Sequence, residues 1–260
     1  MASCDDVARP WLLQEQQQHL GLAHTHGILG SLYALQGKDE TNYAYHKVCN
    51  VYRQFNNTAV YVDPAKNVLA LEHYEKCRAI RIKALGEDHL SVAGTHCSMG
   101  GVYENQGDYK MALELHEKCL AIEIKALCED HLSVVDTRIN IAIVYKNQGR
   151  EDEAMELYKK CLAAKIKALG ADHLGVADIK FNIANLLAWR QVELAEAGVL
   201  LRESAVIYSK VLGAKSPTTI NAVMFAGICE QGAALLQAGG RVGALTAGAA
   251  LFVSRKYRGA

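Results

Sequence analysis

The sequence predicts an all-α chain, an α-α superhelix of about six stacked helix pairs. Two observations lead there. The stretch Lys83 to Val92 (Lys-Ala-Leu-Gly-Glu-Asp-His-Leu-Ser-Val) returns at Lys125 to Val134 with nine of ten residues identical, and at Lys167 to Val176 with eight, at steps of 42 residues. A fixed period of that length marks a repeat array, which grows by stacking one helical unit on the next. The second observation is composition. Half the residues are hydrophobic and only 3 are proline, which favours packed helices over disorder.

Residues 1–18 read as a lead-in, with a short capping helix over Trp11 to Gln18. The superhelix is expected over 19–258, in copies at 19–50 (truncated), 51–88, 89–130, 131–172, 173–215 and 216–258. In the first copy His19, Ala23, His26, Gly30, Tyr33 and Gly37 match His89, Ala93, His96, Gly100, Tyr103 and Gly107 at an offset of 70, which is 14 short of two periods. The deficit predicts irregular geometry over about 47–60, where Asn56-Asn57-Thr58 is a weak helix former. Asp63-Pro64 follows, and proline suits a first helical position.

The third and fourth copies each split into two helices. Ser91 to Gln106 carries Val92, Met99, Val102 and Tyr103 at helical spacing. Gly107 then suits a left-handed C-cap and Asp108 an N-cap, before a second helix with Ala112, Leu115, Cys119 and Ile122 on its apolar stripe. The fourth copy repeats this with Ile141, Val144 and Tyr145, then Gly149, then Ala154, Leu157, Cys161 and Ile166. The fifth gains one residue in its second half and turns at Trp189-Arg190-Gln191 without glycine. The sixth opens on Ser216-Pro217, a favoured N-cap followed by a favoured first helical residue. Pro217 aligns with Leu90, Leu132 and Leu174, so a helix is predicted to start just after His89, His131 and His173. A last helix is expected to about Tyr257, its terminal cations favourable to the helix dipole.

Several function classes are set aside by the residues. Lys plus Arg equals Asp plus Glu at 28 each, with no basic run, so nucleic acid is not an expected partner. The N-terminus lacks a signal-peptide pattern, and no uninterrupted apolar run approaches the ~20 residues of a membrane span; Ala244 to Val253 reads as a packed helix. A cytoplasmic protein without membrane insertion is therefore expected. Cys77, Cys119 and Cys161 stand 42 apart, one small buried position seen three times, and are read as free thiols. His89, His131 and His173 lie one helix pair apart, about 10 Å, too far to share an ion at bonds of about 2 Å. Cys128 replaces the glycine of positions 86, 170 and 213, which predicts strain of about 1 kcal/mol where the loop needs positive φ. The glycines of 239–248 lack the Lys-Ser/Thr of a phosphate loop, and no nucleophile–base motif is present. No catalytic, cofactor or metal site is expected, and the chain is not read as an enzyme.

Within each copy the order of residue sizes is specific. The fourth has Ile141-Ala142, then Tyr145, then Ala154, Tyr158 and Cys161; the third has Met99-Gly100, Tyr103, Ala112, His116 and Cys119. This order resembles the tetratricopeptide repeat, in which small residues let two antiparallel helices approach and large ones fill the space beside them. The 42-residue version, with Ala121 to Leu127, Glu129-Asp130-His131, Asn140-Ile141-Ala142 and Asn147-Gln148-Gly149, resembles the repeats of kinesin light chains over about residues 47 to 215. The resemblance implies a right-handed solenoid whose first helices line a concave groove, and a non-catalytic scaffold or adaptor that holds a partner peptide there. It implies cargo or kinesin heavy chain as partner. It also implies that Asn56, Asn140 and Asn182, which share one repeat position with Ser98, clamp the backbone of an extended peptide, an amide supplying both donors and an acceptor. Asn105, Arg138, Lys146, Asn147, Lys180 and Asn185 on the same helices complete the candidate set, the cations favouring an acidic peptide. Two alternatives stand beside this. One is a ligand- or peptide-sensing regulatory solenoid. The other is a piece of a larger repeat signalling protein, which the 14-residue deficit favours.

Overall fold

A computed structural model describes residues 64–190 and 193–237. The expected lead-in helix, the first copy, the irregular stretch at 47–60 and the last helix lie outside the described residues. The fold is all-α, with stacked antiparallel helices of the α-solenoid kind. Eight helices are described: α1 (Pro64–Leu85), α2 (Leu90–Gln106), α3 (Tyr109–Ala126), α4 (Leu132–Asn147), α5 (Glu151–Leu169), α6 (Leu174–Arg190), α7 (Leu194–Leu212) and α8 (Pro217–Gln237). They fall into two compact units that divide between Val144 and Tyr145.

In the first unit the period of the sequence becomes a period of contacts. On α1, Ala70, Tyr74 and Cys77 are buried at successive helical turns. Ala70 and Tyr74 meet Met99 and Val102 of α2 and Leu115 of α3, with Leu71 and Tyr103 packed at the edge. A second cluster joins Val92 and Ala93 to Cys119 and Ile122, with Ile82 and Cys97 against it. Fully burying side chains such as Met99 and Val92 contributes about 1.5–3 kcal/mol each. The small positions let the helices close up. Gly100 is buried so tightly that a Cβ there would stand 2.8 Å from Cε1 of His116.

The recurring decapeptide is a device for ending one helix and starting the next. Gly86 adopts φ 88° and its N–H closes on the carbonyl of Ile82 at 2.9 Å. His89 then caps α2, its Nδ1 accepting from the N–H of Ser91 at 3.0 Å. His131 and His173 do the same for Ser133 (3.2 Å) and Gly175 (3.0 Å). These histidines serve as N-caps, the role normally filled by Ser, Asn or Asp. Gly170 and Gly213 repeat the positive φ at 84° and 86°, and Cys128 holds φ 150° in the corresponding loop. The lysine and aspartate of the decapeptide are tied as well: Lys125 pairs with Asp88, and Lys210 with Asp172 at 3.3 Å. Both pairs are exposed, so each contributes at most about 1 kcal/mol.

The turns inside the helix pairs follow the same logic once and depart from it once. Gly107 is left-handed at φ 81°; its N–H bonds Glu104 O, that of Asp108 bonds Tyr103 O, and Asp108 Oδ1 accepts from Met111 N at 3.1 Å. At the next turn Gly149 is left-handed too, but Arg150 stands where Asp108 did and makes no side-chain cap.

In the second unit α5 packs on α6, α6 on α7 and α7 on α8. Ala177, Ala205, Ile207, Tyr208 and Ala222 form its core cluster. Ser204, at the position of Cys161, is fully buried and satisfied by donating to the carbonyl of Ala177 at 3.0 Å. α8 starts at Pro217, directly after Ser216. Its length and composition alone would allow a membrane span, but its face carrying Ala222, Ala226 and Cys229 is buried and the helix packs on α7.

Candidate functional site

The first helix of each pair, α2, α4 and α6, turns one side to its neighbours and leaves another side accessible. On α2 the accessible side is Gly94, Cys97, Ser98, Gly101 and Asn105; one period on, on α4, it is Asp136, Ile139, Asn140, Ile143 and Asn147. The candidate asparagines behave differently from one another. Asn140 is half-buried and its Nδ2 donates to Cys97 Sγ on α2 at 3.4 Å. Ser98, its counterpart in the third copy, is turned back on its own helix and donates to the carbonyl of Gly94 at 3.0 Å. Asn105, Asn147 and Lys146 are half-buried on the last turns of α2 and α4. Asn56 lies outside the described residues.

On α6, Asn182 is half-buried one residue after Phe181. Asn185, less than one turn on, is only 3% exposed, and neither its Nδ2 nor its Oδ1 has a hydrogen-bond partner among the described residues. Leaving such an amide unsatisfied costs about 1–3 kcal/mol, which makes it the most polar-hungry group of this helix. Phe181 meets Tyr208 edge-on with ring centroids 6.4 Å apart. The Tyr208 hydroxyl donates to Asp178 Oδ1 at 2.7 Å, and burial with that neighbouring carboxylate pushes the phenol far above its ordinary range, so it stays a donor.

The candidate cations are already engaged. Arg138 reaches back to Glu129, donating to its carbonyl at 3.1 Å and lying 3.5 Å from its carboxylate. Lys180 pairs with Glu203 of α7 at 2.8 Å and is only 16% exposed. In the third copy the same repeat position is His96, buried and held below the ordinary imidazole pKa first by that burial, then by Arg78 and Lys118. Among the described residues no group of three or more His, Cys, Asp and Glu side chains is arranged to hold a metal ion.

Two features of the accessible faces were not singled out from sequence. One is Cys97, set between Gly94 and Gly101, at both of which an added Cβ would meet nothing within 4 Å. The glycines on either side, three and four residues away, were the available signal. The other is the position of Arg81, Glu123 and Lys165 on the second helices. Arg81 donates to Thr95 Oγ1 at 2.8 Å and to the Ser91 carbonyl at 2.9 Å, and Thr137 Oγ1 donates to Glu123 at 2.7 Å. Lys165 is buried against Gly175, where a Cβ would sit 2.9 Å from its Nζ. The Gly175 of the third decapeptide, a serine in the other two, therefore makes room for that ammonium.

A tetratricopeptide-repeat family model matches residues 66–125 and again 91–167. Over residues 66–167, then, the chain is similar to tetratricopeptide repeats. Solved structures share the fold. A Podosopora anserina protein described as a kinesin light chain with nearly identical TPR-like repeats aligns with a TM-score of 0.55 at 22% identity, over 80% of this chain and 93% of that one, and its Q17M form aligns equally well. BtubC (BKLC) from P. vanneervenii aligns with a TM-score of 0.51 at 17% identity, over 84% of this chain and 90% of that one. No curated protein matches the sequence.

Proposed function

We propose that these tetratricopeptide repeats serve a non-catalytic scaffold or adaptor that binds an extended partner peptide along the accessible faces of its first helices. The observation that carries the reading is the character of those faces. Amides at one repeat position, Asn140 and Asn182, sit half-buried beside apolar side chains, Ile139 and Ile143 on α4 and Phe181 on α6. Asn185 adds a buried amide with no partner among the described residues. Amides offer a peptide backbone both donors and an acceptor, and the apolar neighbours offer places for its side chains. The likeness of fold to kinesin-light-chain-type repeats supports a cargo adaptor within this class. With Arg138 and Lys180 held by glutamates, attraction of an acidic peptide is the smaller contribution. A reducing, cytoplasmic setting suits the free thiols of the described residues.

The test is selection of extended peptides from a display library on the full chain, followed by calorimetry on the selected peptides. Asn140→Ala together with Asn182→Ala removes two hydrogen-bonding amides, each contributing about 1 kcal/mol, so affinity is expected to fall at least about tenfold with the fold intact by circular dichroism. Unchanged affinity in that double variant rejects the reading.

A further inference from the structure

We propose that Cys97 is a peroxide-sensitive thiol and Cys119 its resolving partner, so that the third repeat carries a reversible dithiol–disulfide site opening on the accessible face of α2. The proposal stands independently of peptide binding.

The geometry brings the parts together. Cys97 is half-buried, and the open positions at Gly94 and Gly101, one turn to either side, leave its sulfur approachable by a small oxidant. On its inner side it packs on the cluster of Val92, Ala93, Cys119 and Ile122. Its sulfur accepts from Asn140 Nδ2 at 3.4 Å. Beneath Gly100 lies His116, 1% exposed, and neither of its ring nitrogens makes a hydrogen bond of normal geometry among the described residues. The groups facing Cys97 are thus Cys119 and His116 from α3 and Asn140 from α4. Cys119 first, then the neighbouring His116 ring and the Asn140 amide, hold the Cys97 thiol below the ordinary thiol range despite its burial. Cys119 is pushed the other way, by Cys97 first, then by its own burial and by the charge of Glu123, so it keeps its proton; its Sγ lies 3.6 Å from Thr137 Oγ1. The arrangement is particular to this repeat. Ile139 and Phe181 occupy the position of Cys97 in the next two copies.

The chemistry balances with a hydroperoxide as oxidant. The Cys97 thiolate attacks one peroxide oxygen and the O–O bond breaks; the sulfur becomes a sulfenic acid, and hydroxide or alkoxide leaves. The Cys119 sulfur then attacks the sulfenic sulfur. An S–S bond forms, the S–OH bond breaks, and the hydroxyl departs with the Cys119 proton as water. A thiol reductant reverses the bond by exchange.

The experiment treats the full-length protein with hydrogen peroxide near equimolar at pH 7, followed by non-reducing digestion and mass spectrometry. The expected product is a Cys97–Cys119 cross-linked peptide, about 2 Da lighter than its two thiol peptides, lost on dithiothreitol. Cys119→Ala is expected to trap the sulfenic acid at Cys97 as a dimedone adduct, and Cys97→Ser to abolish both products. The iodoacetamide rate at Cys97, followed from pH 4 to 9, is expected to show a midpoint well below the value of about 8.5 of an ordinary thiol. Cys97 paired with any other cysteine, peroxide consumed without a Cys97 product, or a midpoint above 8 would overturn the assignment. Should Cys119→Ala unfold, the unmodified chain's cross-link map decides the matter alone.

Discussion

The first helices of the third and fourth repeats are the same object on one side and different objects on the other. Their inner positions correspond closely: Val92 with Val134, Thr95 with Thr137, Met99 with Ile141, Gly100 with Ala142 and Val102 with Val144, all buried. Their accessible positions do not. Gly94, Cys97, Ser98 and Gly101 on α2 stand where α4 has Asp136, Ile139, Asn140 and Ile143. The period is imposed by the inner side, because two helices approach only where small residues meet and a size change there is felt by a close-packed neighbour. The accessible side is under no such constraint and is free to carry different chemistry, amide and apolar in one repeat, thiol and open in the other.

The largest stability effect that tests this contrast compares two adjacent glycines. Gly100 faces inward, and a Cβ there stands 2.8–3.0 Å from three atoms of the buried His116 ring. Gly100→Ala is expected to destabilise by about 1–3 kcal/mol, seen as a lower urea midpoint, because the imidazole has no room to retreat.

The loops offer the next effect. Cys128 takes φ 150° where Gly86, Gly170 and Gly213 take 84–88°. Cys128→Gly is expected to raise stability by about 0.5–1 kcal/mol, the relieved backbone strain outweighing the entropy that glycine adds to the unfolded chain. The converse change, Gly86→Cys, should lower it by a similar amount in the same thermal melt. Equal stability of both variants and the parent would show that these loops are not equivalent.

Gly101→Ala, one residue beyond Gly100, reverses the sign. Nothing lies within 4 Å of its Cβ position, and it sits in a helix interior. A gain of about 0.5–1 kcal/mol is expected from the lost backbone freedom of glycine alone. A loss would mean that the open side of α2 is packed against something.

How much of this was legible in the sequence follows from the range of each interaction. The helix starts at His89, His131 and His173 and the turn at Gly107-Asp108 are made by residues one to three apart, and the repeated letters marked them. Pairings between helices and across loops were less visible. Arg138 meets Glu129 from nine residues away and Lys180 meets Glu203 from twenty-three, so two cations read as peptide ligands have their charge balanced within the fold. Cys97 and Asn140 are 43 residues apart, one off the period, so alignment of copies never set them side by side. Burial of the Asn185 amide depends on side chains from other helices, which no local pattern reports.

The smallest expected effect concerns Arg150, where the fourth repeat abandons the Asp cap of the third. At the equivalent turn Asp108 accepts from Met111 N, a bond that contributes about 1 kcal/mol. Arg150 forgoes that cap and puts a cation at the positive end of α5. It compensates in three ways. Its guanidinium lies 4.0 Å over the Tyr145 ring, it pairs with Glu153 at 2.7 Å, and the first turn carries Glu151, Asp152 and Glu153 against the helix dipole. Both contacts are solvent-exposed and individually weak. Arg150→Asp gains the cap, loses both contacts and adds a fourth carboxylate beside three. The terms nearly cancel, and the unfolding free energy is expected to stay within about 0.5 kcal/mol of the parent. The reciprocal Asp108→Arg finds Tyr103 at the place of Tyr145, but it loses an existing cap, finds Met111 at the place of Glu153, and the first turn of α3 holds no acid. It should cost about 1 kcal/mol. Equal losses in both variants would show that Arg150 is held by contacts its own repeat does not supply.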